Sequence, residues 1–228
     1  MRFPSTKVLN QSDARPWDTQ ELLPSNGRWR VVVFCGDIRQ PAQANALAEA
    51  GKAIANPQSF LNRFTPSKVA PDSVFEVLAI HAAPRRETTI FSFPACFRHF
   101  DPVNGYDYSK IYVDDESYHE GHGKCYETFG IDAGERGGCV VVIRPDGYIA
   151  FVGSMGDVVE GKVDLFFEGF MIEQPGKGPM EADAGVQGPG DRNGDDRIRD
   201  EHAKGDGNGM SKANGTVPAG QAGDVLPA

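Results

Sequence analysis

Apolar residues gather in blocks whose spacing changes along the chain, and these blocks predict an alternation of strands and helices. Trp29-Arg30-Val31-Val32-Val33-Phe34 is a β-branched run ending at Gly36, the pattern of a strand buried on both faces. Residues 42–55 are rich in Ala, Leu and Glu and follow Pro41, which suits a first helical position, so they predict a helix. Residues 74–80 predict a second strand. Residues 110–113 predict a short strand closed by Asp114-Asp115, and residues 122–129 a helix that stops before Gly130. The sharpest signal is a β-hairpin: Cys139 to Ile143, the turn Pro145-Asp146-Gly147, then Tyr148 to Val152. Beyond it, Asp157 with Glu160 three residues on predicts a capped helix start. That helix carries Val163, Phe166, Phe167 and Phe170 as a wide apolar face.

Strand, helix, strand, then helix, hairpin, helix is the order of the thioredoxin-like α/β fold. It predicts a central mixed sheet with the hairpin near its C-terminal end and helices on both faces. Three zones follow. Residues 1–28 are polar, with Pro4, Pro16 and Pro24 and no sustained period, and are expected as an extended arm. Residues 29–173 form the domain. Residues 174–228 contain 12 Gly and no aromatic residue, so they cannot bury enough surface to offset chain entropy and are expected to be disordered.

Charge narrows the function classes. With 23 Lys+Arg against 32 Asp+Glu the net charge is −9, no basic run stands out, and nucleic acid is not an expected partner. No stretch approaches the ~18 apolar residues of a membrane span. The N-terminus, Met1-Arg2-Phe3-Pro4-Ser5, has no secretory apolar region. Cys35, Cys96, Cys125 and Cys139 show no close pairing, so reduced thiols and a cytoplasmic setting are expected.

Five segments carry a family resemblance: Lys7-Val8-Leu9-Asn10-Gln11-Ser12-Asp13-Ala14-Arg15-Pro16, Gly27-Arg28-Trp29-Arg30, Ile111-Tyr112-Val113-Asp114-Asp115, His119-Glu120-Gly121-His122-Gly123 and Arg144-Pro145-Asp146-Gly147-Tyr148. In collinear order across residues 1–172 they resemble the C-terminal domain of phenol 2-monooxygenase and related aromatic-ring hydroxylases. The resemblance implies a thioredoxin-like domain that contributes dimer contacts, beside a separate FAD-binding domain that hydroxylates with NADPH and oxygen. It also implies that residues 1–28 correspond to the linker leaving that catalytic part. The G-x-G-x-x-G fingerprint between a strand and a helix is missing from this sequence, and the cluster Gly205-Asp206-Gly207-Asn208-Gly209 follows no strand signal. No cofactor-binding residue is therefore assigned, and FAD and NADPH are expected to belong to the other domain.

Candidate chemistry is sparse. A thioredoxin fold places its redox centre after the first strand, where Cys35 stands, but the resolving position is Ile38 and Asp37 opposes a thiolate. Gly137-Gly138-Cys139 stands where a redox member carries a cis-proline. His119 and His122 are three apart with a glycine between, not four apart as H-E-x-x-H needs, and a third ligand from Asp114 or Asp115 would be required. They are expected to cap a helix start instead. Asp191, Asn193 and Asp195 begin a calcium-loop pattern, but Asp196 replaces its glycine and His202 its final Glu. Phe91, Phe93, Phe97 and Phe100 around Pro94 are expected as core or subunit interface, with a small-molecule pocket as the alternative. No catalytic, cofactor-binding or metal residue is assigned.

Three readings stay open from the residues: a non-catalytic dimerisation module of a flavin hydroxylase, partnered by a second copy or by the catalytic domain; a degenerate thiol oxidoreductase using Cys35; and a truncated gene model of a complete hydroxylase.

Overall fold

The computed structural model describes residues 1–118, 120–134 and 138–175. Within these lie nine strands, β1 (Lys7–Asn10), β2 (Pro16–Asp18), β3 (Trp29–Gly36), β4 (Phe75–His81), β5 (Phe100–Asp101), β6 (Gly105–Tyr106), β7 (Ile111–Val113), β8 (Cys139–Ile143) and β9 (Ile149–Gly153). The helices are α1 (Pro41–Ala55), α2 (Phe60–Arg63), α3 (Cys125–Phe129), α4 (Met155–Val159) and α5 (Lys162–Glu168).

Seven strands form one sheet in the order β2-β1-β7-β4-β3-β8-β9. β3 pairs parallel with β4 and antiparallel with β8, and β8 pairs antiparallel with β9. The central order β4-β3-β8-β9, with α1 as the crossover between β3 and β4, is the thioredoxin-like topology that the sequence predicts. The two faces have separate cores. Val31, Val33, Phe75, Val77, Val140 and Val142 point to the side covered by α1, α2, α4 and α5. Val32, Phe34, Leu78, Ile80, Val141 and Ile143 point to the side covered by α3 and the N-terminal residues. That period of two is why the valine run of β3 is apolar throughout: both of its faces are covered.

Residues 1–28 are part of this sheet and not an extended arm. β1 pairs with β7, β2 pairs with β1, and Phe3, Val8, Leu9 and Leu22 are buried. Met1 O accepts from Ile149 N at 2.9 Å, and Phe3 N donates to Gly147 O at 3.0 Å, so the first residues also line the start of β9. The segment is too short and too interrupted by proline to show a period. Its strand character comes from a partner about 100 residues away.

Two helix starts differ from expectation. α3 begins at Cys125 and not His122, because the carboxylate of Asp114 accepts from Cys125 N and Tyr126 N, both at 2.8 Å, and fixes the first turn there. The last helical block is split. Ser154 is the N-cap of α4 and Asp157 its reciprocal third residue, so the capping box lies one turn earlier than the sequence suggests. α4 ends at a left-handed Gly161 (φ 75°), a conformation that a residue with a Cβ resists, and α5 restarts at once. Asp164 of α5 accepts a short hydrogen bond from Phe60 N, and Arg63 pairs with Glu168 and Glu173, so α2 is held at both ends.

The second crossover, from β4 to β7, contains no α-helix. Three single 3-10 turns (Arg85–Glu87, Ile90–Ser92 and Ala95–Phe97) and the β5–β6 hairpin cover residues 82–110. Pro94 packs so closely on α1 that a Cβ at Gly51 would lie 2.4 Å from it. Of the tail expected over residues 174–228, only Gln174 and Pro175 are described, with Gln174 N donating to Arg63 O; residues 176–228, which carry the calcium-like pattern, lie outside the described residues.

Candidate association surface

The position where a thioredoxin fold carries its redox centre is closed. Cys35 has no exposed surface, and burial pushes its thiol far above the usual range, so thiolate formation and attack on an external disulfide are both opposed. Ile38 is buried in the same core, at the place of a resolving thiol. The backbone here is spoken for as well: Gly36 N donates to the Tyr126 hydroxyl, which donates to Ile80 O, each at 2.8 Å. Arg39 then bridges Asp37 and Glu87 on the surface. In place of a cis-proline stands Gly138, left-handed at φ 55°, where a Cβ would lie 2.3 Å from Phe34 O and 2.7 Å from Met155 Cε. Only glycine allows this approach of β8 to β3. All four cysteines are free thiols.

The histidine pattern does not assemble a metal site among the described residues. His122 is buried, His119 lies outside the described residues, and the two aspartates suggested as further ligands are used by backbone groups. Asp114 caps α3, and Asp115 accepts from Arg85 N at 2.8 Å. The buried histidine with a defined task is His81. Its Nε2 lies 2.9 Å from Gln11 Oε1, while Gln11 Nε2 donates to Arg85 O and Thr88 O. Those two carbonyls fix the amide orientation, so the imidazole Nε2–H is the donor. Burial lowers its pKa to about 4, with Asp115 and Asp37 opposing the shift.

A row of charges crosses the sheet at the starting ends of β3, β4 and β7. Arg30, 1% exposed, donates to Glu76, to Arg28 O and to Asn26 Oδ1. Lys110 donates to Glu76 and also pairs with Asp72 and Asp107, each at 3.3 Å; Arg28 pairs with Asp72 at 3.0 Å. Three cations thus meet three carboxylates. Burial works to lower the Lys110 pKa, and the hydrogen bond and charge of Glu76 reverse that and leave it raised. The cluster is structural.

Exposed aromatic groups are where the surface departs from an ordinary one. The predicted phenylalanine stretch divides: Phe93 and Phe97 are core, while Phe91 and Phe100 are exposed. Tyr106 joins the exposed pair through ring contacts of 5.3 Å to Phe91 and 4.9 Å to Phe100, and Arg98 lies over Phe91 at 5.4 Å. Tyr106 and the exposed Tyr108 then border a shallow groove with Arg15 and Trp17, and Arg15 stacks over Trp17 at 4.4 Å. The result is a contiguous surface of five aromatic side chains and two arginines. Aromatic residues and arginine are the types enriched where proteins bind one another.

The α5 region behaves otherwise. Phe167 is fully buried and Phe166 is half-buried against Phe151 and Trp29, so neither faces outward. The exposed apolar groups there are Leu165, Phe170 and Ile172, with Phe170 resting on Trp29 and Phe166. Between α2, the end of α1 and the Ala95–Phe97 turn there is also a cleft of about 570 Å³, floored by Phe75 and Val77.

The chain is 39% identical over 175 residues to the FAD-dependent monooxygenase terD of Aspergillus terreus (strain NIH 2624 / FGSC A1156), covering 75% of this chain and 27% of that protein. It is 34% identical over 165 residues to phenol 2-monooxygenase fsqG of Aspergillus fumigatus, covering 72% and 26%. To 3-hydroxybenzoate 4-monooxygenase of Comamonas testosteroni it is 34% identical over 177 residues, covering 75% and 26%. The chain therefore spans about a quarter of the length of the curated relatives it matches. Among solved structures, peroxidoxin BcpB of Mycobacterium tuberculosis is 14% identical with a TM-score of 0.46, covering 75% of this chain and 97% of that one; the strand order, and not this likeness, carries the fold assignment. No helix among the described residues is long and apolar enough to cross a membrane. A family match spans residues 1–175, and with it the chain belongs to the phenol hydroxylase C-terminal dimerisation domain family.

Proposed function

We propose that this domain acts by self-association, as a homodimer formed through the surface of Phe91, Phe100, Tyr106, Tyr108 and Trp17 with Arg15 and Arg98. The observation that carries the reading is the set of ring contacts from Tyr106 to Phe91 and Phe100, extended along one groove by Tyr108 and Trp17, on a domain whose family is described by dimerisation. Strand-to-strand pairing is a weaker route. β2 is three residues long and begins with Pro16, which has no N–H to give, and at the start of β9 Ile149 N already donates to Met1 O. In this reading the domain supplies contacts and not chemistry. The purified chain should hold no flavin, and FAD, NADPH and hydroxylation are assigned to a separate catalytic domain. The free thiols support a reducing, cytoplasmic setting. The second apolar group, Leu165, Phe170 and Ile172, favours a further contact with such a catalytic domain.

Sedimentation velocity of the full chain from about 1 to 100 µM tests the homodimer. A micromolar Kd corresponds to about −8 kcal/mol, and losing one central aromatic anchor costs about 2 kcal/mol, roughly a 30-fold weakening. Phe91→Ser combined with Tyr108→Ser should shift the chain to monomer, and Phe170→Ser should not. A wild-type chain that is monomeric throughout, or a dimer indifferent to the double substitution, would refute the proposal.

A further inference from the structure

The cleft on the α1 side of the sheet has an origin in the topology. A sheet face in this fold is normally roofed by helices on both sides of the central strands. Here the second crossover replaces a helix with 3-10 turns, and an opening is left between those turns, α2 and the end of α1. The opening, about 570 Å³, lies in the middle of the range of roughly 300–1,000 Å³ typical of small-molecule sites. Leu61, Val69, Phe75, Val77, Ala95 and Cys96 supply apolar walls.

Its charge is already balanced. The ionisable side chains on the border are Asp72, Lys110, His99 and Cys96. Asp72 and Lys110 pair with each other and share the six-member ion cluster, so neither offers a spare charge. Burial pushes the Cys96 thiol up to about 12, which keeps it neutral. A charged ligand would be desolvated here without a counter-ion, whereas an uncharged apolar one would replace water on the exposed apolar walls, Val69 and Ala95. Ser67 and His99 at the mouth leave room for one polar substituent.

We infer that this cleft binds an uncharged, mainly apolar small molecule with the bulk of a two-ring system, at a site separate from the association surface. The neutral two-ring fluorophore N-phenyl-1-naphthylamine is the probe. Titrated into the full chain, it should show saturable enhancement at one site per chain. Ala95→Trp, which fills the cleft from an exposed position, should weaken binding at least tenfold, and so should Val69→Asp, which adds a charge at the mouth. Phe91→Ser and Phe170→Ser should leave binding within twofold. Enhancement that never saturates, or binding unaffected by both cleft substitutions, would overturn the inference. So would loss of binding on Phe91→Ser or Phe170→Ser, which would put the probe on an exposed patch. Sedimentation of the same variants reports on the homodimer independently.

Discussion

Glu76→Gln isolates the energetics of the ion cluster. The substitution keeps the shape of the side chain and removes one of three negative charges facing Arg28, Arg30 and Lys110. Arg30 and Lys110 are 1% and 7% exposed at their side chains, so water cannot replace the lost carboxylate. Breaking a buried pair on one side typically costs about 3–5 kcal/mol. The lower end applies here, because Arg30 keeps two oxygen acceptors and Lys110 keeps Asp72 and Asp107. The expected loss is therefore about 3 kcal/mol. With an m-value of about 2 kcal/mol/M in urea, the unfolding midpoint should fall by about 1.5 M at unchanged slope. Urea titration followed by tryptophan fluorescence suits the measurement, since Trp29 lies beside Arg30. A loss below about 1 kcal/mol, the range of exposed ion pairs, would show that the cluster is solvated and refute the reasoning. Adding Lys110→Met to Glu76→Gln should restore part of the loss, because the number of unmatched cations falls.

The other expectations concern single groups. His81 is neutral in the fold with a pKa near 4 and titrates near 6.5 when unfolded; the unfolded state takes up the proton first, so stability is complete above pH 6.5 and falls as pH drops towards 4. The step from pH 7 to 5 should cost about 2 kcal/mol from this residue, and the wild-type pH profile should be steeper than that of His81→Gln by this amount; parallel profiles would contradict it. Gly138→Ala should destabilise by more than about 2 kcal/mol, since the clash with Phe34 O is with backbone and the left-handed conformation is retained; a melting temperature within 2 °C of wild type would count against the packing described. Native Cys35 and Cys125 should resist Ellman's reagent until the protein unfolds, and the chain should not reduce insulin; rapid native labelling of Cys35 would reopen the oxidoreductase reading.

What the sequence shows clearly are the elements whose reasons are local. The valines of β3, the alanine-rich α1 and the hairpin turn at Pro145-Asp146-Gly147 each carry their own signal within about ten residues, and each is found where it is predicted. β1 and β2 carry none, because a four-residue strand next to prolines becomes a strand only when β7 is beside it. The association surface is half legible. Phe91 and Phe100 stand in an evident aromatic stretch, but alternation along an irregular crossover cannot say which rings turn outward, and Trp17 and Tyr108 join them only through the fold. Arg30 stands inside the apolar run of β3, and its pairing with Glu76 is seen only in the fold. Of the cleft, only Ala95, Cys96 and His99 lie in the aromatic stretch whose alternative reading is a pocket; none of its phenylalanines lines it, and the other walls come together only through the fold.

The stitching of residues 1–28 into the sheet also sets a clock for synthesis. Leu9 pairs with Val113, and Met1 bonds to Ile149, so the first apolar residues emerge from the ribosome long before their partners exist. At roughly 5–20 residues per second, Phe3, Val8 and Leu9 wait some 5–20 seconds for β7. During that interval β1 has only β2 beside it, and the apolar groups of Phe3, Val8 and Leu9 wait for the rest of the sheet. Within this domain, the strand made earliest is among the last to join the sheet.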